Sequence, residues 1–155
     1  MSWTVRDASS SDEIRLLAFD IATGQMGQAG QMAGWLDVWN LPQASPEPSM
    51  TWMSRPALAG ENSEHGTHDA AHTPGDPMPG LATPEQLTKL RSLTGVEAER
   101  YFLELMIAHH EGGVAMAKAV LDRSREREVV TLAQGIVTGQ TGEIELMKKL
   151  LSARS

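Results

Sequence analysis

The sequence predicts an all-α protein of three long helices and a short one, built from a duplicated helix pair whose first member is largely missing. Three observations lead there. Apolar residues recur at the helical period of about 3.6 residues through three long segments. No segment alternates like a strand, and a stretch near the amino terminus repeats without gaps near the carboxyl terminus. At 155 residues the chain is long enough for one domain, 1–155, with a buried core.

The first helix is expected over 11–40. Ser10 and Glu13 fit a capping box, Leu17, Ala18, Ile21, Gln25, Met32 and Leu36 recur at helical spacing, and Pro42 forbids continuation. Gly24, Gly27, Gly30 and Gly34 each cost about 1 kcal/mol in a helix interior. They mark either a weak exposed face or close approach by another backbone. Residues 41–82 form an irregular connection rich in Met, His and Pro, holding seven of the eight prolines; loops of this length are usually functional or disordered. The third part, 83–152, opens with Thr83-Pro84-Glu85-Gln86, a cap with proline at the first helical position. A short helix reaches about Leu93. Thr94 and Glu97 form another capping box, starting a long helix from about Val96 to Leu121. A last helix runs from about Arg125 to Ser152, with Val129, Ala133, Ile136, Gln140, Ile144, Met147 and Leu151 inward.

The repeat decides how these helices are related. Residues 13–25 align with 128–140, and the match extends through Gly27 with Gly142, Met32 with Met147 and Leu36 with Leu151, at a constant offset of 115 (128 − 13). The unit is a helix carrying two histidines followed by a Gln/Met helix. Subtracting the offset from His109 and His110 places their counterparts before Met1. The expectation is therefore a truncated chain or an internally assigned start.

Composition narrows the function classes. A net charge of −7 argues against nucleic acid, and no apolar run is long enough to span a bilayer. The amino terminus lacks the apolar stretch of a signal peptide. With no cysteine, nine methionines and five histidines are the soft and borderline ligands available.

The candidate site centres on His109 and His110. Phe102, Met106, His109, Gly113, Met116 and Val120 form one seam of the long helix, and Leu103, Ile107, His110, Val114, Ala117 and Leu121 the adjacent one. Both imidazoles lie on the inward stripe, with Met106 and Met116 alongside, a ligand set suited to Cu(I), Ag(I) or Cu(II). The competing reading is a hydrogen-bonded core pair. Gln140 interrupts the inner stripe of the last helix and needs a polar partner, which an imidazole N–H could supply. Glu143 could orient a histidine as an acceptor; Gln25 and Gln28 are the first-copy equivalents. Met32 and Met147 read as core. In the connection, His65, His68, His72 and Met78 are possible loop ligands, with an ordinary linker as the alternative. An enzyme is not expected: the positions three before the histidines are Met106 and Ile107, not the glutamates of a di-iron bundle, and no phosphate loop or nucleophile elbow is present.

The run Tyr101-Phe-Leu-Glu-Leu-Met-Ile-Ala-His-His-Glu-Gly-Gly-Val-Ala-Met-Ala117 closely resembles the core motif of the domain-of-unknown-function 305 family. Ala133, Ile136, Gln140, Glu143, Ile144 and Met147 match its companion helix, and the stretches at 11–14 and 35–39 resemble its first repeat. The resemblance implies a ferritin-like four-helix bundle exported to the periplasm or cell surface. It further implies, by likeness to CopM-like members, copper or silver binding through Met106, His109, His110 and Met116. The function expected is non-enzymatic metal binding or buffering in the envelope; the alternative is a structural or interaction module with a buried His/Gln network. Three long helices in a four-helix design leave a groove, covered by the short helix and loop or by a second copy in a homodimer.

Overall fold

A computed structural model describes residues 1–58 and 73–154. The regular structure of those residues is all helical, with α1 (Ser2–Ala8), α2 (Asp12–Val38), α3 (Pro84–Ser92), α4 (Gly95–Leu121) and α5 (Arg127–Ser152). A single 3-10 turn at Thr51–Ser54 interrupts the long connection. They divide into two compact units. The first comprises Met1–Ala44, Ala82–Ala108 and Glu145–Ser155, and the second Ser45–Leu81 and His109–Ile144. Both α4 and α5 thus contribute to each unit.

In the first unit the core is aliphatic with one large aromatic. Ile14, Leu90, Phe102, Leu103, Met106 and Met147 are buried. Helix α2 begins where Ser11 Oγ accepts from the Ile14 amide at 3.4 Å, with Asp12 and Glu13 in the first turn, where acids complement the helix dipole. The cap is therefore Ser11, not Ser10. Tertiary pairing decides it: Ser9 Oγ accepts from the Ser11 amide at 3.0 Å and donates to Glu99 Oε1 at 2.6 Å, drawing the junction inward. Helix α2 ends as its composition demands. Asn40 takes a left-handed φ of 54°, its amide reaches Asp37 O and that of Leu41 reaches Leu36 O. This is a Schellman motif with asparagine in the glycine position, and Pro42 follows it.

Buried positions on α2 stop at Ala22. Met32, expected in the core, is 44% exposed, whereas its repeat partner Met147 is fully buried. The four glycines of α2 have nothing within 4 Å of where a Cβ would stand. Among the described residues no backbone approaches them, so they belong to an exposed helix face. The stretch before Ser11, for which the sequence predicts no helix, holds α1, whose Val5 is buried and whose Trp3 packs edge-on against Phe19 of α2 with centroids 6.1 Å apart.

Helix α3 carries the expected capping box: the Gln86 amide donates to Thr83 Oγ1 at 3.2 Å and the Thr83 amide to Gln86 Oε1 at 2.8 Å. Helix α5 starts two residues later than expected, at Arg127. Ser124 Oγ accepts from the Glu126 amide and Arg125 folds back onto the Leu121 carbonyl, which holds that tripeptide in the turn.

A buried carboxylate ties the first unit together. Glu99, at the start of α4, is 3% exposed. One oxygen accepts from Ser9 Oγ; the other accepts from Arg154 Nε at 2.7 Å. Arg154 also donates to Ser11 Oγ at 3.3 Å and to the Leu150 carbonyl at 3.0 Å, while Arg100 Nη1 donates to its carbonyl. Burial raises the Glu99 pKa, and the Ser9 hydroxyl and Arg154 guanidinium together outweigh it, leaving the carboxyl below its ordinary value.

Removing one partner of such a buried pair leaves the other uncompensated, so Glu99→Ala should lose about 3 kcal/mol of stability at neutral pH. Because the folded-state pKa is depressed, this contribution is complete above the unfolded value near 4.5 and is lost as pH falls through the folded value. Urea denaturation at pH 7 and pH 3 checks both points: the gap between wild type and variant should shrink in acid. An equal gap at the two pH values would remove Glu99 from the acid transition.

Candidate functional site

The second unit holds His109 and His110 of α4, Gln140 and Glu143 of α5, and the backbone at Pro79 and Gly80. His110 is fully buried. Its Nε2 lies 2.8 Å from Glu143 Oε2, whose side chain is half-exposed. The expected carboxylate–imidazole pairing is therefore present. It brings one end of a charged group to the surface and buries the other against an imidazole.

His109 differs from its neighbour. It is half-buried, its ring 6.0 Å from that of His110 at 70°, with the Gly80 backbone in its electrostatic surroundings. Desolvation, then the charge of His110, lowers its pKa below the ordinary imidazole value, with the Gly80 backbone opposing. The neutral ring is thus favoured.

The glycines beside the pair explain how the loop reaches it. A Cβ on Gly112 would overlap the Pro79 carbonyl, so the loop backbone rests directly on the bare helix one turn after His109. A Cβ on Gly113 would overlap Gln140 Oε1. Two adjacent glycines in mid-helix are costly by propensity, and that cost was the signal in the sequence for a close approach at α4. The sequence reading weighed such an approach at the glycines of α2 instead.

Gln140 does not find the imidazole partner expected of it. Its Oε1 is buried with no hydrogen-bond partner among the described residues, because its amide lies over Gly113, which has no side chain to offer. The methionines divide. Met106 is buried in the core of the first unit, and Met116 is half-buried in the second, two turns beyond His109 on α4. Among the described residues no three of His, Asp and Glu come together as a metal-holding group. His65, His68 and His72 lie outside the described residues. Met78 is described and is 45% exposed.

The connection around the site is anchored at the end of α4. Arg123 donates from Nε to the Arg55 carbonyl at 2.8 Å and from Nη2 to that of Met53 at 3.1 Å, and the Leu58 amide reaches Asp122 O at 3.0 Å. Ser49 Oγ donates to the Asp76 carbonyl at 3.0 Å, joining the two described parts of the loop.

Two substitutions separate a rigid neighbour from a pliable one. Gly112→Ala meets backbone and should cost about 2 kcal/mol. Gly113→Ala meets only the end of a flexible side chain, and its gain in helix propensity of about 1 kcal/mol should leave stability nearly unchanged. Thermal unfolding of both variants would show the contrast, and equal losses would contradict it. Gln140→Met keeps the length of the side chain and removes the unpaired oxygen. It should raise stability by about 1 kcal/mol; a fall in Tm would mean that Oε1 has a partner in solution.

Comparison with known proteins follows the same residues. The model for the "Domain of unknown function (DUF305)" matches residues 1–151. The crystal structure of a Streptomyces coelicolor protein, described as "putative secreted protein DUF305", is 42% identical with a TM-score of 0.82, covering 99% of this chain and 82% of that one. A DUF305 fragment from Deinococcus radiodurans is 32% identical with a TM-score of 0.71, covering 98% of this chain and 83% of the fragment. No curated protein matches. No helix among the described residues is long and apolar enough to cross a membrane. By a family model that matches nearly all of its length, and by two solved relatives above 30% identity, the chain belongs to the DUF305 family.

Proposed function

We propose that this chain is a non-enzymatic metal-binding protein that takes copper, as Cu(I) or Cu(II), or silver at the histidine pair of α4. The observation that carries the reading is the His110–Glu143 contact at 2.8 Å. A carboxylate on the ring of His110 fixes that ring 6.0 Å from a second imidazole, an arrangement suited to a cation. His109, less buried than its neighbour, is the ring positioned to meet an incoming ion, and Met116 offers a thioether farther along the same helix. The description of the Streptomyces relative as secreted supports work in the cell envelope, where copper and silver are encountered.

One observation favours a second reading. His110 is fully buried, and the loop backbone at Pro79 rests on Gly112, close to the pair on α4. In that case the pair fastens α5 and the loop to α4, and the chain is a structural or interaction module.

Titration with copper, of wild type and of His109→Ala/His110→Ala, decides between them. The metal reading expects affinity to fall at least tenfold in the double variant while its helical circular dichroism is retained. Unchanged affinity would falsify the assignment of the site to the pair. A change in folding alone would favour the structural role.

A further inference from the structure

The long connection forms a half-open cavity of about 160 Å³ in the second unit, lined by residues that the histidine site does not use. Its lining residues include Met50, Met78, Trp52 and Glu47, which bring two thioethers, an indole and a carboxylate to its neighbourhood. The cavity is built across the connection. The Gly75 amide donates to Ser49 O at 2.8 Å and Ser49 Oγ donates to Asp76 O at 3.0 Å, so the segments carrying Met50 and Met78 are held side by side.

Three of the lining residues, Met50, Trp52 and Met78, point to the same class of ligand. Met50 is buried and takes a left-handed φ of 64°, a conformation that side chains larger than glycine adopt rarely; it opens the 3-10 turn that carries Trp52. Trp3 faces Phe19 and the Arg6 guanidinium, and Trp35 stacks on Trp39. Trp52, by contrast, has no ring or cation partner among the described residues. An indole face attracts cations, and thioethers prefer soft ions to hard ones. The one carboxylate is already engaged, since Arg55 Nη2 lies 2.7 Å from each oxygen of Glu47. Hard divalent ions, which need several oxygen ligands, have little to hold here. Met78, half-exposed on a flexible stem of three rotatable bonds, can swing onto an ion that Met50 holds from within.

We propose that this cavity is a binding site for a soft monovalent cation, Cu(I) or Ag(I), held between the thioethers of Met50 and Met78 against the Trp52 indole. The inference deepens the metal-binding reading and rests on its premise that the ligand is a soft metal. It does not depend on the histidine pair.

Silver nitrate in chloride-free buffer is the probe, followed by calorimetry and by tryptophan emission. Wild type, Met50→Leu/Met78→Leu, Trp52→Phe and His109→Ala/His110→Ala are compared, each checked for unchanged helical circular dichroism. Leucine preserves the apolar volume of methionine and removes the sulfur. The expected result is at least tenfold weaker silver binding in the methionine variant, together with loss of the silver-dependent change in emission. Trp52→Phe should abolish that change as well. Silver affinity and emission change within twofold of wild type in the methionine variant overturn the cavity site, whatever the histidine variant does. Loss in the histidine variant alone leaves the histidine site standing and removes this one. Loss in the methionine variant alone does the reverse.

Discussion

The first unit depends on a buried charge that three separated pieces of chain must satisfy together. Glu99 could not sit at 3% exposure without Ser9 on one oxygen and Arg154 on the other, because a lone buried carboxylate would take up a proton or draw in water. Those partners come from the α1–α2 junction and from the last turn of the chain. Their meeting fixes where α2 begins, since Ser11 serves as its cap and as an acceptor for Arg154. Removing any one partner would leave the others buried and uncompensated.

The second unit is organised by absence of side chain. Gly112 and Gly113 strip one turn of α4 to its backbone, and the loop at Pro79 and the amide of Gln140 occupy the space. His109 and His110 lie just before this bare patch on α4, and His110 fastens α5 through Glu143. The cost is an unpaired buried oxygen on Gln140. The adjoining connection is held where the Met53 and Arg55 carbonyls accept from Arg123 and where Ser49 meets Gly75 and Asp76, which is why a segment rich in proline still builds a defined cavity.

Much of this was legible beforehand where the physics is local. Thr83, Pro84 and Gln86 carry their own capping geometry, and Pro42 with Asn40 contains a helix stop, so α3 and the end of α2 follow from neighbouring residues alone. The pairing of His110 with Glu143 was also within reach, because an inward imidazole and a glutamate at the edge of the facing stripe have few alternatives. Met32 was misread for a related reason. The repeat with Met147 compares sequence positions, and burial depends on what covers a position; beyond Ala22 little of the described chain covers α2. Gln140 failed likewise, since the sequence required a partner but could not show that the facing residue was glycine.

Helical period, capping residues and the repeat determined by themselves that the chain is all-α, where most helices begin and end, and which helix carries the two histidines. These are properties of residues a few positions apart. Only the tertiary structure decided which histidine is sealed and which is half-open, that the cap of α2 moves to Ser11, and that Met50, Trp52 and Met78 share one cavity. Each of those depends on contacts between residues far apart in sequence, and no local period records which surfaces meet.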